Sequence, residues 1–263
     1  MLYRNFGSTD LRLSVIGLGT VKLGRNLGVK YPQSFEIPDD TKAAELLTLA
    51  KEIGINLIDT APAYGNSEER LGKLLKNRRQ DWLICTKVGE EFFIDSDGNA
   101  QSHFDFSPQH TRLSIERSLR RMNTDYLDIV MVHSDGNDEH VINHCGVIDT
   151  LAELKQAGII RAFGVSTKTV SGGILAAEKT DGVMATLNLA YQDELPVFDY
   201  CKLHNKGILI KKAFASGHLD SATNNPVRDS LQLGLGQSAT SSVIIGTINP
   251  QHLRENIAAL SDQ

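Results

Sequence analysis

Four residues of this chain have side chains that could together hold a carbonyl and give it a proton: Asp59, Tyr64, Lys87 and His133. Asp59 closes the apolar run Ile55-Asn56-Leu57-Ile58, and Tyr64 follows five positions later in a polar turn. Lys87 closes Trp82-Leu83-Ile84-Cys85-Thr86, and His133 closes Leu127-Asp128-Ile129-Val130-Met131-Val132. A free tyrosine has a pKa of about 10 and parts with its proton reluctantly near neutrality. A lysine ammonium beside it stabilises phenolate and draws that pKa down, while an aspartate orients and charge-balances the lysine. A histidine can position a carbonyl oxygen by a hydrogen bond. Taken singly, each residue has a plainer role: turn former, packing ring, solvated amine, hydrogen-bonded core imidazole. Their shared place, at or just after the ends of apolar runs, separates them from those roles.

The elements that must position them alternate along the chain. Short apolar runs at 15–18, 55–59, 83–87, 127–133, 160–165, 183–189, 208–212 and 243–246 read as strands buried on both faces. Helices fall between them. Asp39 or Asp40 can cap a helix at 41–53 that Gly54 stops, and Ser67 can cap one after the Tyr64 turn. Ser107-Pro108 opens a helix with Ile115, Leu119 and Met122 on one face. Val147, Leu151 and Leu154 mark another, ended by Gly158, and Pro250 starts a last one. Leu2 to Asn5 and Leu11 to Leu13 flank a turn-rich cluster and form a short N-terminal β-hairpin. Eight strands with helices between them predict a (β/α)8 TIM barrel over 1–263 as a single domain, whose strand carboxyl ends carry the chemistry.

At 263 residues, 41% hydrophobic and 22% charged, the chain has apolar material for a full core. A net charge of −5 argues against a nucleic-acid partner, which would favour a basic domain. Cys85, Cys145 and Cys201 form no CxxC pair and read as reduced thiols. No leader-like or membrane-length apolar run is present, so a cytoplasmic protein without membrane partners is expected. Nothing in the sequence specifies an oligomeric state.

The segment 55–75, INLIDTAPAYGNSEERLGKLL, resembles the first signature of the aldo-keto reductases. The segment 114–133 resembles their second signature, 159–167 their fifth-strand end, and 242–256 their cofactor-binding close. Together these span nearly the whole chain. The resemblance implies reduction of aldehydes or ketones with NADP(H) or NAD(H), and a catalytic set of Asp59, Tyr64, Lys87 and His133. It implies cofactor contacts by Gly19, Thr20, Val21 and Asp59 near the first strand. Ser166 and Asn188 fall where the nicotinamide carboxamide is bound, Thr167 is a further cofactor-binding position, and Phe214 is the candidate for the ring that stacks on nicotinamide. Gly246, Thr247, His252, Glu255 and Asn256 fall at the adenosine phosphate end, beside a helix N-terminus suited to phosphate.

The sequence also departs from the family pattern. Thr167 stands for an asparagine, Leu189 for a glutamine, and Lys211-Lys212 fit the seventh-strand end poorly. Gly246 and His252 supply no fixed cation for a 2′-phosphate, and the stretch from Phe214 to Ser242 is shorter than usual. The same site could run mainly as an alcohol or sugar dehydrogenase. A Schiff-base aldolase working through Lys87, or a cofactor-binding regulatory subunit, would be other classes. A dinucleotide fingerprint at Gly17-Leu18-Gly19 fails because Lys22 holds the third glycine position. His140, His144 and Cys145 lack the further ligands of a metal site, and 135–138 reads as a turn. Aperiodic stretches at 24–38 and 89–107, together with 215–225, are expected as loops over the substrate.

Overall fold

The computed structural model describes residues 1–218 and 223–260. The expected loop 215–225 therefore lies partly outside the described residues. Eight parallel strands close into a barrel: β3 (Ile16–Gly19), β4 (Leu57–Asp59), β5 (Leu83–Val88), β8 (Leu127–His133), β9 (Ile160–Ser166), β10 (Gly182–Thr186), β11 (Gly207–Lys211) and β12 (Thr240–Ile245). Each pairs with the next, and β12 closes on β3 through Val243 opposite Ile16. All eight expected strands are present, with ends shifted by a few residues.

Two antiparallel hairpins stand outside the ring. β1 (Tyr3–Asn5) pairs with β2 (Arg12–Ser14), as the sequence implies. β6 (Glu90–Ile94) pairs with β7 (Ala100–Phe104), which corrects the expectation of an irregular loop at 89–107. The turn between them is held by Asp95, whose carboxylate accepts from the amides of Asp97 and Asn99. Such local aspartate bonds fix a turn without any hydrophobic period to advertise it.

The helices are α1 (Val21–Gly24), α2 (Asp40–Glu52), α3 (Ser67–Leu74), α4 (Pro108–Met122), α5 (Asp138–His144), α6 (Val147–Gln156), α7 (Val170–Lys179), α8 (Leu195–Leu203), α9 (Pro226–Gly236) and α10 (Pro250–Ala258). Asp39 caps α2 by accepting from Lys42 N, and Ser107 caps α4 by accepting from His110 N. Ser67 does not cap α3. It is the first helical residue, and its hydroxyl donates to Thr20 Oγ1 at 2.8 Å.

The core has two layers. Apolar residues of the strands' outer faces pack on the helices, and a smaller cluster fills the barrel interior. Phe6, fully buried after β1, plugs the amino-terminal mouth. A Cβ on Gly207 would lie 2.3 Å from its ring, so β11 must start with glycine. With that end packed shut, the open end is the carboxyl-terminal one, where the polar strand ends converge.

Candidate active site

Register brings the four candidate groups together. Asp59 lies opposite Gly19 on β3 and Cys85 on β5, and His133 lies opposite Ser166 on β9. Lys87 is almost fully buried, and its Nζ donates to Asp59 Oδ1 at 2.6 Å and to Thr60 O at 2.9 Å. Tyr64 Oη donates to Asp59 Oδ2 at 3.4 Å, and the Lys87 ammonium sits 4.7 Å from the Tyr64 ring centre. The His133 ring stands edge-on to Tyr64 with centres 6.4 Å apart.

Local backbone fixes Tyr64. Pro62 to Tyr64 form one 3-10 turn, closed by Gly65 at φ 62°. A Cβ on Gly65 would lie 2.1 Å from Gly24 O, so glycine alone fits this crossing. Thr20, fully buried, donates its hydroxyl to Asp59 O and accepts from Ser67. Thr20, expected as a cofactor contact, thus turns its side chain onto Asp59 and Ser67 and is not part of the cavity lining.

A cavity of about 300 Å³ opens above these groups. It gathers Asp59, Tyr64, Lys87 and His133 with Gly19, Val21, Ser166, Phe214 and Gly246 from the sequence expectation. Met184 and Ile244 form apolar wall. Tyr31, from the expected loop 24–38, reaches the lining, with Pro32 set against Gly217. Thr167 and Asn188 instead line an adjoining cavity of about 500 Å³. Asn188 already donates to Lys212 O and accepts from Ala190 N, whereas the buried Thr167 hydroxyl has no partner. Thr247, His252, Glu255 and Asn256 lie beyond Gly246, on or before α10, and none lines the cavity.

The charges are uneven. Burial pushes Lys87 down, but attraction to Asp59 outweighs it and holds the ammonium above the ordinary lysine range. Burial likewise raises Tyr64, and Lys87 offsets only part of that, so the phenol rests above its usual pKa. The expected lowering by lysine is present as a contribution and loses to desolvation. A Lys87 held as ammonium is no amine nucleophile near neutrality, which removes the basis for a Schiff base there.

Two residues missed as site members stand in or beside the cavity. Lys211 donates to Ser166 Oγ at 2.9 Å and to Thr167 O at 2.5 Å, and burial brings it to about 8. It is followed by a strained turn in which Lys212, Ala215 and Ser216 all have positive φ. Glu90 Oε2 lies 2.7 Å from His133 Nδ1. Spacing along the chain carried no signal for Glu90, because the β6–β7 hairpin delivers it. Lys211 was visible only as a misfit at a strand end.

A closed eight-stranded barrel with acid, phenol, amine and imidazole at its carboxyl-terminal mouth belongs to the class of barrel oxidoreductases. The Aldo/keto reductase family model matches residues 15–234, and the chain belongs to that family. A crystal structure of PA4992, an aldo-keto reductase of Pseudomonas aeruginosa, is 50% identical and superposes with a TM-score of 0.89, covering 99% of this chain and 94% of that one. The oxidoreductase YqkF of Bacillus subtilis is 28% identical over 98% of this chain and 91% of its own length. L-Galactose dehydrogenase of Arabidopsis thaliana is 26% identical over 98% and 88%. The protein is thus an NAD(P)H-dependent enzyme of carbonyl oxidoreduction. No helix among the described residues is long and apolar enough to cross a membrane.

Proposed function

We propose that the enzyme reduces aldehydes or ketones to alcohols with Tyr64 as proton donor. The observation that carries this reading is the buried Lys87–Asp59 pair, 2.6 Å long, set against the Tyr64 phenol in one cavity with His133. The bound nicotinamide supplies the hydride. Tyr64 then gives its proton to the developing alkoxide, and the resulting phenolate is stabilised by the Lys87 charge. Asp59 keeps that charge in place, and His133 faces the carbonyl oxygen.

The cavity fits a flat ring with a polar edge: Met184, Ile244 and Phe214 offer apolar contact, and Ser166 offers a hydrogen bond. Gly19, Val21 and Gly246 would hold the cofactor alongside. Thr247, His252, Glu255 and Asn256 would face its adenosine end. Either NADPH or NADH is accepted in this reading, because Gly246 and the exposed His252 present no permanent charge to a 2′-phosphate. The relationship to a sugar dehydrogenase supports oxidation as the alternative direction at the same site.

Tyr64→Phe tests the assignment. Reduction of a small aldehyde should fall ~10²–10⁴-fold, while fluorescence titration with NADPH and with NADH shows near wild-type binding. Turnover close to wild type in this variant would remove Tyr64 from the chemistry.

A further inference from the structure

Glu90 begins the β6–β7 hairpin directly after β5, and its carboxylate is almost enclosed at 14% side-chain exposure. Oε2 stands 2.7 Å from His133 Nδ1, and Oε1 accepts from Ser102 Oγ across the hairpin at 2.7 Å. Burial alone would raise this carboxyl; His133, Ser102 and the charge of Arg25 together bring it to about 2. At any ordinary pH it is therefore a carboxylate, able only to accept. Nδ1 makes no aligned hydrogen bond as the ring is placed, so the pair is a close ionic contact; a carboxylate oxygen at this distance still favours a hydrogen on Nδ1 over a lone pair, and a small turn of the ring completes the bond. A neutral imidazole has only one N–H, so Nε2 is then a bare lone pair. A carbonyl oxygen is also only an acceptor, and two acceptors cannot share a hydrogen that neither carries.

We propose that Glu90 is a positioning residue that pins a proton on His133 Nδ1, so that Nε2 carries a hydrogen for a carbonyl only when the ring takes a second proton and offers a lone pair to an alcohol when it does not. The Glu90–His133 pair is then the part of the site that distinguishes the two directions of reaction by pH. This rests on the reading of His133 as the group facing the substrate oxygen.

The charges around the ring oppose one another. Burial lowers His133 most; Glu90 from β6 raises it, while Lys87 from β5 and Lys211 from β11 lower it. Tyr64 presents a neutral phenol edge-on, Ser166 opposite on β9 is uncharged, and Arg25 acts on Glu90 from beyond. The balance is below the ordinary histidine range. Reduction should accordingly weaken as pH rises through the imidazole titration, by about tenfold per unit beyond it. Oxidation of the alcohol should strengthen over the same range.

The test combines nitrogen-15 NMR of histidine-labelled enzyme with pH profiles, for the wild type and Glu90→Ala, each assigned by loss of a resonance in His133→Asn. In the wild type the neutral His133 should show a protonated Nδ1 and a bare Nε2, and the fall in kcat for reduction should follow its titration. Glu90→Ala should populate the Nε2–H form, titrate lower because the raising charge is gone, and lose the steep decline of reduction with pH. NADPH and NADH binding should be unchanged in that variant. A neutral wild-type ring protonated on Nε2, or a Glu90→Ala profile with the wild-type shape and merely lower amplitude, would overturn the proposal. Failure of the broader reading is separate: it would appear as full activity in Tyr64→Phe, which leaves the NMR result to stand on its own.

Discussion

Lys87 and Lys211 project into one cavity from β5 and β11, four strands apart either way round the barrel. Both lose solvent, yet they are driven in opposite directions. Lys87 is held above the ordinary lysine range, whereas Lys211 is brought down to about 8. The difference lies in the partners. Lys87 has the Asp59 carboxylate at 2.6 Å. Lys211 has a hydroxyl and a carbonyl, and Lys212 and Lys168 repel it. The buried Glu194 draws it back only partly, since that carboxylate accepts from Thr186 N instead. Burial sets the cost of a charge, and the ion partner decides whether the charge stays.

The largest effect should come from deleting the charged member. Lys87→Met should lower carbonyl reduction by ~10²–10⁴-fold, because Tyr64 loses the cation that stabilises its phenolate. Residual alcohol oxidation should move to higher pH. Steady-state kinetics in both directions across pH would check this, and wild-type rates would break the distinction between the two lysines.

A second variant should make Lys87 resemble Lys211. Asp59→Asn leaves an ammonium buried without its carboxylate, at a cost of about 3–5 kcal/mol. Denaturant unfolding should show this loss. The freed Lys87 should then become reactive toward aldehyde and borohydride, read by peptide mass spectrometry, whereas in the wild type Lys211 should label first. Labelling of Lys87 ahead of Lys211 in the wild type would contradict the comparison.

The smallest effect belongs to Lys211 itself. Its folded pKa lies below the unfolded value of about 10.4, so between roughly pH 8 and 10.5 the unfolded chain binds more protons. Stability contributed by this group therefore rises with pH through that window, and the penalty is complete below it. Lys211→Met should unfold a few degrees later than the wild type at pH 7, with the gap narrowing by pH 10. A variant less stable at pH 7 would mean that the bonds to Ser166 and Thr167 outweigh the cost of the charge.

Much of this protein follows from its sequence. The apolar runs, their turn residues and the caps at Asp39 and Ser107 dictate eight strands and most of the helices, because burial and backbone satisfaction are local demands. Asp59, Tyr64, Lys87 and His133 were legible because each stands at or just after the end of such a run, where a barrel places its reactive groups. Other features depended on closure of the ring. That the Thr20 hydroxyl binds Asp59 O could not be read from its place beside Gly19. Thr167 and Asn188 fell into a neighbouring cavity because β9 ends at Ser166 and β10 at Thr186, just before them. Glu90 reaches His133 only because an aspartate-pinned hairpin folds back beside β8. The direction in which each buried charge shifts was likewise undetermined, since it depends on which groups from distant strands meet at hydrogen-bond distance. Periodicity specifies which side of a strand is buried, and only the closed barrel specifies what that side faces.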